Sequence, residues 1–483
     1  MRLITLGIAI LALTLSIDLS AQSNSTSDAF SMNSWFRAFK QNADAKAMHS
    51  FLVAMPKGGD LHHHLSGAGL SEWWFELASD PNKNGGYHYY TKVSFSHCEG
   101  YGSNEFGPTP QYMMFHTVSG HTWDALSDCQ KSEYKRLDRL TAEQIAAFQN
   151  SIRLDKPHEG RDEFFERHWR RLGEMTANPT LMANILLKNM QAYAQENVQY
   201  LETQVNLQRA THSDGTPYTP EEALAVYEAL LNSEEALETQ VEVRFQYALL
   251  RFLPNAEQQL AWMYEFVDTQ RQRYVGINMV GREDNDKGYP LRFLSTLREM
   301  RKRYPRIPLA IHAGESDEPN YHVRDTLLIG ADRIGHGFNT ITDPETLLLM
   351  RNGPYLIESN LISNLLLEYV DNFNQHPFPE YLRLGIPVAL STDDRGMWDS
   401  TLSDEFFIAV THFNLSWDEL LILVKNSISY SFLSPSDKAK QLEALEKNMS
   451  DFVAQIQSGE IPQRNSGTYL GQFICGYEPA VCE

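Results

Sequence analysis

Eight short apolar segments, most of them followed by a stretch with helical periodicity, set the strongest limit on what this chain can become. They lie at residues 61–65, 198–205, 241–245, 275–281, 308–312, 333–336, 354–358 and 387–391. Strand-then-helix repetition implies a parallel sheet, and eight repeats predict an α/β fold of the (β/α)8 barrel type. An open doubly wound sheet is the competing arrangement, but no G-x-G-x-x-G follows the first strand. Around this repeat, Phe36, Phe39, Met48, Phe51 and Leu52 give residues 22–57 the spacing of a helical lead-in. Residues 80–161 are turn-rich with interspersed aromatics and read as an insertion after the first strand. The barrel unit is expected over 58–457, all-helical from about 403, with a tail at 458–483.

Composition matters for what the chain meets. A net charge of -21 with no basic stripe argues against a nucleic-acid polymer as partner and favours a small uncharged or cationic ligand. Arg2, the apolar run to about Leu15 and the polar stretch after Ala21 have the layout of a secretory signal, with cleavage expected near Ala21. The expected location is therefore secreted or periplasmic, with no stable membrane anchor. Four cysteines fit export: Cys98 and Cys129 lie in one polar region, Cys475 and Cys482 in the tail. Two local bridges are the simplest pairing of the three available. The oligomeric state is open, a homodimer included.

Reactive groups in such a barrel stand at the C-terminal ends of the strands. There the chain carries Leu61-His62-His63-His64-Leu65, Ile311-His312-Ala313-Gly314-Glu315, Ile334-Gly335-His336-Gly337 and Ser391-Thr392-Asp393-Asp394. On a strand, His62 and His64 share a face and aim into the mouth, while His63 points to the helical layer. His312 alone would read as a core histidine; Glu315, beyond a small-residue turn, makes it a ligand candidate. Adjacent Asp393 and Asp394 repel unless a cation or a shared proton relieves them. His62, His64, His312 and Asp393 form an N3O set suited to one catalytic zinc, with iron or cobalt as alternatives. No lysine in 275–281 is available to bridge a second ion. Glu315, His336 and Asp394 remain for proton handling, which points to metal-assisted hydrolysis.

In series, these four strings resemble the adenosine deaminase family of metal-dependent amidohydrolases. The leader, the insertion and Glu358-Ser359-Asn360-Leu361-Ile362-Ser363-Asn364 are similar to its secreted branch, the adenosine deaminase-related growth factors. The resemblance implies hydrolytic deamination of adenosine or a related 6-aminopurine nucleoside to the inosine-type product and ammonia. It implies zinc on His62, His64, His312 and Asp393, and proton donation by Glu315 to purine N1. It also implies that His336 orients and deprotonates the attacking water, that Asp394 contacts N7, and that the Gly281 N–H contacts N3. Ser66 stands where intracellular members carry the Asp associated with the ribose 5′-hydroxyl, so 5′- or 2′-modified nucleosides gain weight. Two other readings stand beside this one. The same chemistry could act on another aminopurine or a cyclic amide. Alternatively, a binding or signalling protein could keep the metal for structure alone, although such a site needs no Glu315, His336 and Asp394.

Overall fold

The computed structural model describes residues 30–98, 113–285, 287–316, 318–463 and 469–483. The leader and its cleavage point lie outside these residues. Eight strands form one parallel sheet: β1 (Gly58–Asp60), β5 (Val198–Gln204), β6 (Glu242–Leu250), β7 (Tyr274–Val280), β8 (Leu309–Ala313), β9 (Arg333–His336), β10 (Leu356–Ser359) and β11 (Val388–Leu390). Each pairs with its neighbour in that order. The sheet then meets itself, because His63 and Asp393 form a parallel bridge that joins the ends of β1 and β11. The structure is thus the expected (β/α)8 barrel, with helices around its outside.

The strand expected over 61–65 is displaced. β1 stops at Asp60, whose carboxylate accepts from the His62 N–H at 3.2 Å and from Thr392 Oγ1 at 2.7 Å. These bonds turn the chain, so the histidines leave the strand and are held by isolated bridges to Asp393 and Gln204. The helical stretch after β5 is divided in two, Pro220–Leu231 and Glu234–Glu238, because Ser233 caps the second by accepting from Ala236 N–H.

Between β1 and β5 the insertion carries its own antiparallel sheet, β2 (Tyr89–Lys92), β3 (Thr117–Ser119) and β4 (Tyr134–Arg136), in the order β3-β2-β4. Cys98–Cys129 closes a loop beside it, and Cys475–Cys482 closes one in the tail. Among the described residues, no helix is long and apolar enough to cross a membrane. The lead-in helices Met32–Asn42 and Ala45–Ala54 place Phe36 and Phe51 against Trp417 and Phe452 of the C-terminal helices Trp417–Ser429 and Pro435–Gln457. Each such ring contributes about 1.5–3 kcal/mol by burial. The tail is more ordered than its sequence suggests: Gln472–Tyr477 is helical, and Phe473 N–H bonds the Asp399 carbonyl at 3.1 Å.

Candidate active site

The four expected ligands converge at the C-terminal rim. One ligand atom from each of His62, His64, His312 and Asp393 lies within 4.8 Å of the others, and His312, Glu315 and His336 form an overlapping group. Asp393 Oδ1 is 3.4 Å from His62 Nε2 and 3.1 Å from His64 Nε2, and His64 Nε2 is 3.2 Å from His312 Nε2. These separations match the edge, about 3.3 Å, of a tetrahedron with zinc-type bonds near 2.0–2.1 Å. His62 Nε2 is buried with no hydrogen-bond partner among the described residues. Burial opposes the imidazolium of His62, yet the Asp393 and Glu358 carboxylates outweigh it and raise its pKa to about 10. That demand for positive charge is one a divalent cation meets. The residues present therefore fit a single zinc-type ion.

Buried partners set each ligand's direction. His62 Nδ1 lies 2.8 Å from Glu358, which pairs with Arg333 at 2.6 Å. Arg333 reaches Glu202 at 2.7 Å, Glu202 accepts from Gln246 at 2.8 Å, and Gln246 accepts from Asn278 at 2.9 Å. Asn278 Oδ1 ends the chain 3.0 Å from His312 Nδ1. This polar belt crosses six strands below the site and sets both rings' orientation from behind. Ser363 donates to Asp393 Oδ2 at 2.7 Å. His63 lies behind the cluster, as its alternation implied, with Nδ1 at 2.7 Å from Thr203 Oγ1.

The three residues expected to handle protons lie beside the cluster. Glu315 is buried, and burial together with the Asp393 and Glu283 charges pushes its carboxyl well above the ordinary range. Its N–H and that of Gly314 donate to Glu283, at 3.2 and 3.1 Å. His336 Nε2 is 3.7 Å from Glu315 Oε2 and 4.0 Å from Asp393 Oδ2. Burial lowers its pKa to about 3, so its ring is neutral. Burial and the neighbouring Asp393 and Glu315 charges raise the Asp394 carboxyl. Asp394 Oδ1 and His336 Nε2 are buried without hydrogen-bond partners among the described residues. His336 and Asp393 hold φ of 61° and 57°, a left-handed backbone that non-glycine residues adopt at a cost and that clusters at functional sites.

Gly281, at the end of β7, has φ 101°, and its carbonyl accepts from Arg251 at 2.6 Å. Ser66 lies half-buried on the turn after β1. The end of the insertion and the helical segment after it supply a wall: Trp169 stands edge-on to His64 at 6.2 Å, and Arg161 lies over Tyr369 at 4.7 Å. Beside it a cavity of about 700 Å³, bordered by Asp162, Arg282, Glu283 and Ser316, is of ligand-binding size. Sequence reasoning missed Asn278, Arg333, Glu202, Gln246, Glu283 and Trp169, and assigned no role to Glu358. Their positions behind or above the ligands depend on which strands and loops meet.

A parallel barrel with an N3O cluster and a buried carboxyl of raised pKa at its C-terminal mouth is the arrangement expected of a metal-assisted hydrolase. The family model described as adenosine deaminase matches residues 131–448, more than half of the chain. The chain belongs to the adenosine deaminase family, and it is a hydrolase of that kind. It is 30% identical to an adenosine deaminase of Enterococcus faecalis over 247 residues, 51% of this chain and 70% of that protein. To an adenosine deaminase of Lutzomyia longipalpis it is 30% identical over 294 residues, 58% of this chain and 56% of that protein. A solved amidohydrolase from Burkhoderia ambifaria, with bound Zn, shares the fold at TM-score 0.59 and 18% identity, covering 86% of this chain and 95% of that one.

Proposed function

We propose that this protein hydrolytically deaminates adenosine or a closely related 6-aminopurine nucleoside, giving the 6-oxo product and ammonia. The observation that carries the reading is the juxtaposition of the N3O cluster with three buried groups: Glu315 and His336, whose side chains group with His312, and Asp394, next in the chain to Asp393. His62, His64, His312 and Asp393 would hold zinc, which when bound supplies Lewis acidity that brings the pKa of water toward 7. A protonated Glu315 donates to the ring nitrogen next to the reacting carbon, where negative charge gathers as water adds. His336 Nε2 faces the attacking oxygen. Asp394, with a raised pKa and an unpartnered Oδ1, offers a hydrogen bond to the five-membered ring of the purine. The Gly281 N–H is the proposed contact for N3, and Ser66 and Trp169 border the sugar.

The test is incubation of zinc-loaded protein with adenosine, 2′-deoxyadenosine and 5′-methylthioadenosine. The expected result is the ultraviolet change of 6-amino loss with at least one; inertness toward all three ends the substrate assignment. Ser66, a short hydroxyl, favours sugars altered at the 5′ position in that panel. Two disulfides support the further proposal that the protein works in an oxidising compartment, secreted or periplasmic.

A further inference from the structure

The role of a histidine depends on which ring nitrogen holds its proton, and here a buried relay decides it for His336. The relay starts at a donor of fixed identity. The main-chain N–H of Phe378 points at His376 Nδ1 at 3.1 Å, so that nitrogen accepts. The proton of neutral His376 is then on Nε2, which lies 3.0 Å from Asn364 Oδ1. With its oxygen engaged, Asn364 turns its amide nitrogen to His336 Nδ1, at 3.3 Å. The amide nitrogen of Asn360 lies at the same distance from that atom, 3.3 Å. The Asn364 N–H, its direction fixed by His376, therefore faces His336 Nδ1, with the Asn360 amide nitrogen beside it. A proton there would meet them head-on, so Nδ1 accepts and the ring's one proton sits on Nε2, toward the reaction centre.

We propose that His376 is a positioning residue that fixes His336 as the Nε2–H tautomer, making His336 a hydrogen-bond donor to the attacking oxygen. The proposal rests on the deaminase reading of the site and changes the duty the family resemblance gave to His336. In this tautomer His336 orients the nucleophile and stabilises its negative charge; it does not begin the reaction as proton acceptor. Zinc on the four ligands would bring the pKa of water toward 7, so the nucleophile would form without a proton acceptor on His336. His376 suits the task. It is 3% exposed, wedged against Phe338 at 5.6 Å and Phe413 at 6.4 Å, and burial lowers its pKa to about 3, which keeps it neutral. The short helix Leu361–Leu366, which carries Asn364 and starts at Asn360, is held in turn by Glu405, which accepts from the Leu361 and Ile362 N–H groups at 2.9 and 3.1 Å.

The experiment compares wild type, His376→Leu and His376→Gln, each zinc-loaded, using NMR of isotopically labelled histidine nitrogens and steady-state kinetics. In wild type the His336 signals should show protonated Nε2 and bare Nδ1. His376→Leu leaves Asn364 free to turn, so both tautomers of His336 should appear and kcat should fall about tenfold to a hundredfold with KM and metal content kept. His376→Gln, whose side-chain amide can still donate to Asn364 Oδ1, should recover the wild-type pattern and most of kcat. A protonated Nδ1 in wild type overturns the proposal, as does an unchanged His336 pattern in a folded His376→Leu. If His376→Leu fails to fold, the wild-type spectrum still decides. Failure of the deaminase reading is separate: it is loss of turnover with every nucleoside while the tautomer pattern holds.

Discussion

The main-chain N–H of His64 donates to the carbonyl of Asp393 at 3.2 Å, while the His64 imidazole Nε2 lies 3.1 Å from the Asp393 carboxylate. One pair of residues thus closes the barrel through its backbone and forms the ligand cluster through its side chains. At this rim, barrel closure and assembly of the candidate metal ligands rest on the same two residues.

Metal removal should therefore weaken the fold as well as stop turnover. Stripping with a chelator is expected to lower the melting temperature, with recovery on adding zinc. At free zinc a hundredfold above its Kd the stabilisation is about 2.7 kcal/mol. Differential scanning fluorimetry with and without chelator reads this directly, and identical melting curves would contradict it.

Glu315→Gln keeps the shape of the side chain and removes its transferable proton. A loss of kcat of about 10²–10⁴-fold is expected, with zinc content unchanged. Elemental analysis beside the spectrophotometric assay separates this from loss of metal. Near-normal turnover would favour a substrate lacking a ring nitrogen next to the reacting carbon.

Gly67→Ala tests the close packing of the first rim turn against Asp394. A Cβ on Gly67 would stand 1.6 Å from Asp394 Oδ1, so the carboxyl must move. A misplacement of this size in a substrate-facing group costs on the order of 100-fold in kcat/KM. Metal content should stay at one ion per chain, because Asp393 is not the residue displaced.

Glu283 predicts a pH effect on stability. Burial raises its pKa, but Arg251 and His322 more than offset this and hold it at about 2, below the ordinary glutamate value of 4.5. A depressed carboxylate stabilises the fold above its unfolded pKa and loses that contribution as pH falls through its folded pKa. The window runs from pH 4.5 down to about 2, and the linked free energy is about 3 kcal/mol. Glu283→Gln should be less stable than wild type at neutral pH, with the gap closing as the medium is acidified. Urea titrations across that range would show it.

Removing Cys98–Cys129 by paired alanine substitution should destabilise the insertion by about 3–4 kcal/mol, given the 31-residue separation. The barrel ligands should keep their metal, measured by chelator competition.

The strand order, the eightfold repeat and the ligand strings were readable because each depends on local pattern. An apolar run makes a buried strand, and a histidine or carboxylate at its end faces the mouth by barrel geometry. The exact end of β1 was not readable, because the stop is made by Asp60 meeting Thr392 and Tyr193, far along the chain. Nor was the belt from Glu358 to Asn278, since an Arg, a Gln and an Asn inside strands look like ordinary exposed positions until the barrel curls them inward. His376 lies in a stretch with no motif at all, between Gln375 and Pro377.

By itself the sequence determined that this chain is a parallel barrel with three imidazoles and a carboxylate at the ends of its strands, because residue type and periodicity are properties of short segments. Tertiary structure alone decided which of their atoms converge, which nitrogen of His336 faces the cluster and which segments wall the mouth. The physical reason is that hydrogen-bond direction and burial arise between segments, and become fixed only when β11 returns to meet β1.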